Sequence, residues 1–329
     1  MTPGTRGIIE KTFAREIGIG KCVNVLSLSK IVTTKISAYA FFGMDYVDDD
    51  EFIDAAYYYN EDVLFGSELL RLTPKFLVPF TGPLMKVFLK RQRTFFMGLV
   101  SIIEQRMSSS DSKKKYNDVI QWIIDTSPKS KPWTPGRMAF EVMAIWFGSV
   151  QGLATTLTFA IYHLCDNPEY LEVLREESMM EFTANKRTVT GRRCALRDLT
   201  FSDGTKVAKG EWVGIPVGPM LRDASMYPHP DVFDPFRFID SKLRRGTTCI
   251  QPDGPSKFTD VSDTWHVWGT GKMTCPGRFF VSFAMKHTLH YILENYDLEM
   301  AQKSRKKTIN WRTLTFPALG VKVNFKARP

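Results

Sequence analysis

The run Trp265-His-Val-Trp-Gly-Thr-Gly-Lys-Met-Thr-Cys275-Pro-Gly-Arg-Phe-Phe280 holds the residue types best suited to chemistry in this chain. Gly269 and Gly271 permit a tight turn with positive φ. Beyond Cys275 the sequence predicts a helix: Pro276 suits a first turn, and Met285, Leu289, Ile292, Leu293 and Tyr296 recur at helical spacing. Cys275 is therefore expected at a helix N-terminus, where unpaired N–H groups favour a thiolate. Gly277 leaves no side chain to hold a flat ligand off the backbone. One sulfur aimed from a helix start suits a metal ligand or a nucleophile. A buried free cysteine beside a glycine turn is the alternative without chemistry. A catalytic thiolate needs a base, and the loop supplies only His266; a zinc site needs a C-x-x-C or paired-His companion, and none accompanies it.

The elements that must position this loop read mainly as helices. Apolar spacing predicts a helix from Leu28 to Phe42 stopped by Gly43. Another is expected after the acidic run Asp48-Asp-Asp-Glu, which suits a first turn. A long one runs through Phe95-Phe-Met-Gly-Leu-Val, a short amphipathic one through Val119-Ile-Gln-Trp-Ile-Ile, and a long apolar one from about Arg137 to Cys165. The uncharged stretch from Val142 to Leu164 is long enough to span a bilayer, but Ser149, Gln151 and three threonines make it a buried helix in this reading. From Arg192 onward, turns at Ser202-Asp-Gly and Lys209-Gly separate short strands. Thr308-Ile-Asn-Trp and Leu319-Gly-Val-Lys-Val-Asn-Phe are expected to form a final hairpin. The fold class is thus mainly α with small β-sheets, an α+β chain, read as a single domain over residues 1–329.

Hydrophobic residues make up 43% of the chain, enough for a substantial core, and the net charge of +9 implies an acidic partner or surface. The charges are dispersed rather than blocked, which argues against nucleic acid; Lys242-Leu-Arg-Arg245 and Lys303-Ser-Arg-Lys-Lys307 read as solvated loops. Five scattered cysteines fit a reducing compartment. The N-terminal Met1-Thr-Pro-Gly-Thr-Arg lacks an apolar core, so no signal peptide is expected.

The cysteine loop resembles the haem-binding loop of cytochrome P-450 monooxygenases, F-x-x-G-x-x-x-C-x-G-R, with Trp268 in the place of Phe and Gly271, Cys275, Gly277 and Arg278 at the fixed positions. Its tail, Cys-Pro-Gly-Arg-Phe-Phe, is similar to fungal members. The resemblance implies that Cys275 is the axial thiolate on haem iron. It implies haem contacts for Trp268, Gly271 and Gly277, and a propionate contact for Arg193. It implies a fungal monooxygenase that uses O2 and electrons from an NADPH-dependent reductase to oxidise a small apolar secondary metabolite: a terpenoid, polyketide or alkaloid. Lys272 and Arg278 would belong to the basic face on which the reductase docks. Relatives sit on the endoplasmic reticulum membrane, whereas this chain shows no transmembrane anchor.

Departures accompany the resemblance. The family's acid or amide followed by threonine, midway along its central helix, falls here on Gln151 and Gly152. Thr155 and Thr156, about one turn further on, are the remaining candidates for proton relay, against a plain i−4 backbone hydrogen bond as their other use. The E-x-x-R pair becomes Glu177 and Met180, and a thioether cannot replace a bidentate guanidinium. Met273 stands where a propionate donor is usual. Arg237 matches the structural arginine of the P-E-R-F region. The family's anchor, most of its first sheet and the helix contacting haem from the other side find no counterpart, so the fold is read as incomplete. The second reading is a non-catalytic, degenerate remnant without bound haem.

Overall fold

The computed structural model describes residues 3–81, 83, 90–108, 116–176, 190–234, 257–262, 265–302, 306–311 and 314–329. Contacts group the chain into two compact units, Met1–Ile19 with Leu26–Thr155, and Gly20–Val25 with Thr156–Pro329.

The first unit is helical: α1 (Pro3–Glu16), α2 (Val25–Phe42), α3 (Asp50–Leu72), α4 (Lys90–Ser108), α5 (Val119–Thr126) and the first part of α6 (Pro135–Asp166). Their ends follow the sequence. Gly43 takes φ 88° after α2. Asp49 caps α3 by accepting from Phe52 N–H at 3.0 Å, a contact of about 1 kcal/mol. Leu72 is the last helical residue of α3, ahead of Thr73 and Pro74, since proline disfavours a helical residue before it. The core is aromatic. Trp146 stacks on Phe42 with centroids 5.0 Å apart, meets Phe41 edge-on at 5.3 Å, and donates its indole N–H to the Ala56 carbonyl at 3.0 Å. Phe52 and Phe95 complete the cluster. Beside it Arg106 and Asp118 form a two-pronged ion pair at 2.6 and 2.8 Å, both side chains almost fully buried. The same guanidinium donates to the Phe42 carbonyl at 2.9 Å, and Asp118 accepts from Gln121 N–H at 3.0 Å to cap α5.

The second unit carries the sheets. β1 (Gly20–Asn24) and β6 (Tyr296–Met300) flank β9 (Lys322–Ala327), all antiparallel, with Cys22 opposite Asn324 and Leu298 opposite Phe325. β2 (Thr190–Cys194) pairs with β5 (Trp212–Ile215), β3 (Leu199–Thr200) with β4 (Lys206–Val207), and β7 (Thr308–Trp311) with β8 (Leu314–Pro317). Two expectations are corrected here. The strands at 308–311 and 322–327 exist but do not pair with each other: the first turns back on 314–317, and the second closes the three-stranded sheet. Tyr296 does not end the last helix, which is α9 (Arg278–Asn295), but begins β6, where alternate residues are buried. The short α7 (Leu171–Glu176) is strapped to this end of α9 by Arg175, whose Nε donates to the Leu293 carbonyl at 3.0 Å and whose Nη2 meets Asp297 at 2.9 Å. A four-residue turn of helix, α8 (Val217–Met220), follows β5.

Burial pushes the Cys165 thiol at the end of α6 from an ordinary 9.0 up to about 12, with Asp166 adding to the effect and Lys307 opposing it. A raised folded-state value means the folded chain holds this proton where the unfolded chain releases it. The stabilisation is therefore complete below about pH 9 and is lost as pH rises toward about 12. Urea unfolding at increasing alkaline pH is expected to show falling stability, and Cys165→Ala is expected to flatten that fall.

Candidate functional site

The loop before α9 is built on two left-handed glycines, Gly269 (φ 72°) and Gly271 (φ 59°). They let the chain reverse so that Cys275 N–H donates to the Trp268 carbonyl at 2.7 Å, closing the loop on itself. Gly271–Met273 form a single 3-10 turn, and Thr274 Oγ1 donates to the Gly271 carbonyl at 2.8 Å. An added Cβ at Gly269 would stand 3.2 Å from the Met273 carbonyl oxygen. Gly269→Ala is accordingly expected to cost about 1–2 kcal/mol from backbone strain alone, read as a lowered thermal unfolding midpoint. At Gly271 an added Cβ meets nothing within 4 Å, so there only the left-handed backbone requires glycine.

Cys275 is half-buried and lies just ahead of α9, whose N-cap is Gly277; Pro276 precedes the helix rather than opening its first turn. The first turn has no side-chain cap, which leaves N–H groups at its mouth to ligand or solvent. Gly277 itself has φ −80°, open to any residue. Its missing side chain matters in another way: an added Cβ would sit 3.9 Å from Cys275 Sγ, in the space beside the sulfur. The expected site residues Trp268, Gly271, Cys275 and Gly277 thus come together in one loop. Met273 is 68% exposed and contributes no donor.

The sequence reading missed what braces this loop. Trp268 donates its indole N–H to the Phe258 carbonyl at 2.6 Å and meets the Phe258 ring edge-on at 5.2 Å. Arg278, read from sequence only as a docking-face cation, donates Nε to the Thr259 carbonyl at 3.1 Å and Nη1 to the Cys275 carbonyl at 3.0 Å. Backbone acceptors carry no residue signature; only the presence of two side chains with N–H groups around the cysteine pointed to them.

On α6, Gly148, Gln151, Gly152 and Thr155 share one face at helical spacing. An added Cβ at Gly148 or Gly152 meets nothing within 4 Å, and the buried Oε1 of Gln151 has no hydrogen-bond partner among the described residues. Thr155 is buried and Thr156 half-buried, one turn past Gly152. Arg193 lies exposed on β2 opposite Val213, and its Nη1 donates to the Arg192 carbonyl at 2.8 Å. Glu177, Met180 and Arg237 lie outside the described residues.

Comparison with known proteins gives a consistent result. The family model described as cytochrome P-450 matches residues 10–192 and 186–325. Its two stretches overlap at residues 186–192. A cytochrome P-450 monooxygenase, number 151 of Postia placenta, is 29% identical over 90% of this chain and 65% of its own length. The cytochrome P-450 monooxygenase ptmP of Penicillium ochrochloron is 30% identical over 84% and 68%. An ent-kaurene oxidase of Gibberella fujikuroi is 28% identical over 87% and 62%. The chain thus spans about two thirds of the length of these curated relatives. Among solved structures, retinoic acid bound cyanobacterial CYP120A1 superposes with TM-score 0.75 at 18% identity, over 99% of this chain and 74% of that one. The haem domain of cytochrome P450DA gives 0.74 at 16% identity, over 99% and 72%.

Proposed function

This chain belongs to the cytochrome P-450 family, of the kind found in fungal secondary metabolism, and from that premise we propose that it acts as a haem-thiolate monooxygenase folded as one domain over residues 1–329. The observation that carries the reading is the Cys275 loop. Among the described residues no group of three or more His, Cys, Asp or Glu side chains gathers to hold a metal ion. A metal bound by this lone sulfur must bring its other ligands with it, as iron does in a porphyrin. Gly277 keeps a side chain out of the space beside the sulfur, where an added Cβ would stand 3.9 Å from it, so the residues present fit the group.

In this reading Cys275 holds haem iron by its sulfur, Gly271 and Gly277 let the backbone come close to the ring, and Trp268 walls the sulfur side. When bound, haem supplies oxygen activation with O2 and two electrons. The chain's own work is to hold the sulfur, keep the site dry and orient the substrate. By family likeness Thr155 and Thr156 on α6, one turn past Gly152, are the proposed proton-relay hydroxyls, and Gln151 on the same helix carries a buried amide oxygen with no partner among the described residues. Arg193 remains a proposed propionate contact only if its guanidinium leaves the Arg192 carbonyl. An apolar secondary metabolite as substrate is supported by the relatives, one named as an ent-kaurene oxidase. An NADPH-dependent reductase is the proposed electron donor, with Lys272 on its docking face.

Membrane association, at the endoplasmic reticulum by family likeness, is supported by the end of α3 and the residues after it. Phe65, Leu72, Phe76 and Phe80 are all largely exposed there, beside Arg71 and Lys75, a combination suited to a lipid headgroup boundary. Of the described helices, α6 is long and apolar enough to cross a membrane by length and composition, though half of that window is buried within the protein.

A carbon-monoxide difference spectrum of the reduced, purified protein tests the reading: a thiolate-type Soret band supports it. Absence of haem uptake favours the second reading, a degenerate remnant, for which Gly152 in place of threonine and the exposed Met273 in place of a propionate donor are the specific observations.

A further inference from the structure

The two residues that bracket Cys275 in the loop take two successive carbonyls of one distant segment. Trp268 donates to the oxygen of Phe258, and Arg278 donates to the oxygen of Thr259. That segment is itself stapled: Asp260 N–H donates to the Lys257 carbonyl at 2.9 Å, and Lys257 N–H donates to an Asp260 carboxylate oxygen at 2.8 Å. Phe258 is buried, so the turn is also seated by its ring. A loop containing two left-handed glycines has little stiffness of its own. Its closure rests on the Cys275–Trp268 backbone bond, and both ends of that bond are tied elsewhere: the Trp268 indole to Phe258, and the Cys275 carbonyl to Arg278.

We propose that Trp268 and Arg278 are positioning residues that splint the cysteine loop to the Lys257–Asp260 turn, so that the place of the Cys275 sulfur is set by the Phe258 and Thr259 carbonyls; this rests on the haem-thiolate reading. A guanidinium suits the task because one planar group reaches two carbonyls in fixed directions, whereas a lysine ammonium does not hold that geometry. The tryptophan adds what the family's usual phenylalanine lacks, a donor.

The test uses Trp268→Phe, which keeps an aromatic ring and loses only the N–H, and Arg278→Lys, which keeps the charge and loses the fork. In the haem-free protein, amide hydrogen exchange at Cys275 is expected to speed up several-fold to about tenfold in each variant, the scale of one lost hydrogen bond. In the haem-loaded protein, the midpoint potential of the iron is expected to shift and the carbon-monoxide band to broaden in both variants. Unchanged exchange in both variants, or an unchanged potential and band, overturns the splint. A wild-type protein with no thiolate-type band overturns the parent reading and this assignment with it. Trp268→Phe introduces the residue the family normally carries, so its folding gives a clean readout even where Arg278→Lys is poorly stable.

Discussion

Cys275→Ala is expected to remove the thiolate-type Soret band of the reduced, carbon-monoxide-bound protein completely. Groups that merely orient a metal ligand change affinity about 10–100-fold when removed, and loss of the ligand itself should exceed that. No other described cysteine can substitute within the loop. Cys22 is exposed on β1, Cys194 lies on β2, and Cys165 ends α6. Cys194→Ala is the matched control and is expected to keep the wild-type band. Cys275→Ser tests the same point with less change in volume, because an alcohol oxygen at that place cannot give the thiolate spectrum. Retention of the band in Cys275→Ala would end the haem-thiolate reading, whatever the overall fold.

Arg106→Met is expected to produce the largest loss of stability of any single change away from the cysteine loop. It strands Asp118, whose side chain is only 4% exposed, and it takes a donor from the Phe42 carbonyl. Breaking one side of such a buried pair typically costs about 3–5 kcal/mol. In a unit of this size each kilocalorie moves the midpoint by about 2–4 °C, so a fall on the order of 10 °C is expected in thermal unfolding. The double variant Arg106→Met with Asp118→Leu should recover part of the loss, since two apolar side chains leave no buried charge behind, although α5 then lacks its Asp118 cap. The exposed Arg137–Glu141 pair on α6 gives the contrast, because such surface pairs contribute about 0.3–0.5 kcal/mol and Arg137→Met should be almost silent. Equal losses from Arg106→Met and Arg137→Met would show that burial of the first pair does not govern its effect.

The sequence revealed those parts of this molecule whose causes are local. Gly43, Asp49 and the apolar spacing from Leu28 to Phe42 announce helix ends and faces by themselves, and the cysteine loop is legible because its residues are consecutive. Long-range partners were not legible. Arg106 and Asp118 are separated by a serine and lysine run that reads only as a loop, and Trp146 finds its acceptor ninety positions away, on a backbone carbonyl. Alternation predicted strands at 308–311 and near the C-terminus, but period-2 patterning does not say which strand lies beside which. Tyr296 misled for a related reason: a buried aromatic satisfies the inner face of a helix and the inner face of a strand equally. The Phe258 and Thr259 carbonyls were invisible because every residue has one.

The three-stranded sheet carries a consequence for biosynthesis. Its central member, β9, leaves the ribosome after both of its neighbours, some three hundred residues after β1 and about twenty after β6. Among the described strands β9 is the partner of both neighbours, so β1 waits as an unpaired edge until Lys322–Ala327 is made. Such an edge is a known route to misassociation during synthesis, and a nascent chain halted before Lys322 would leave both flanking strands without the partner that joins them.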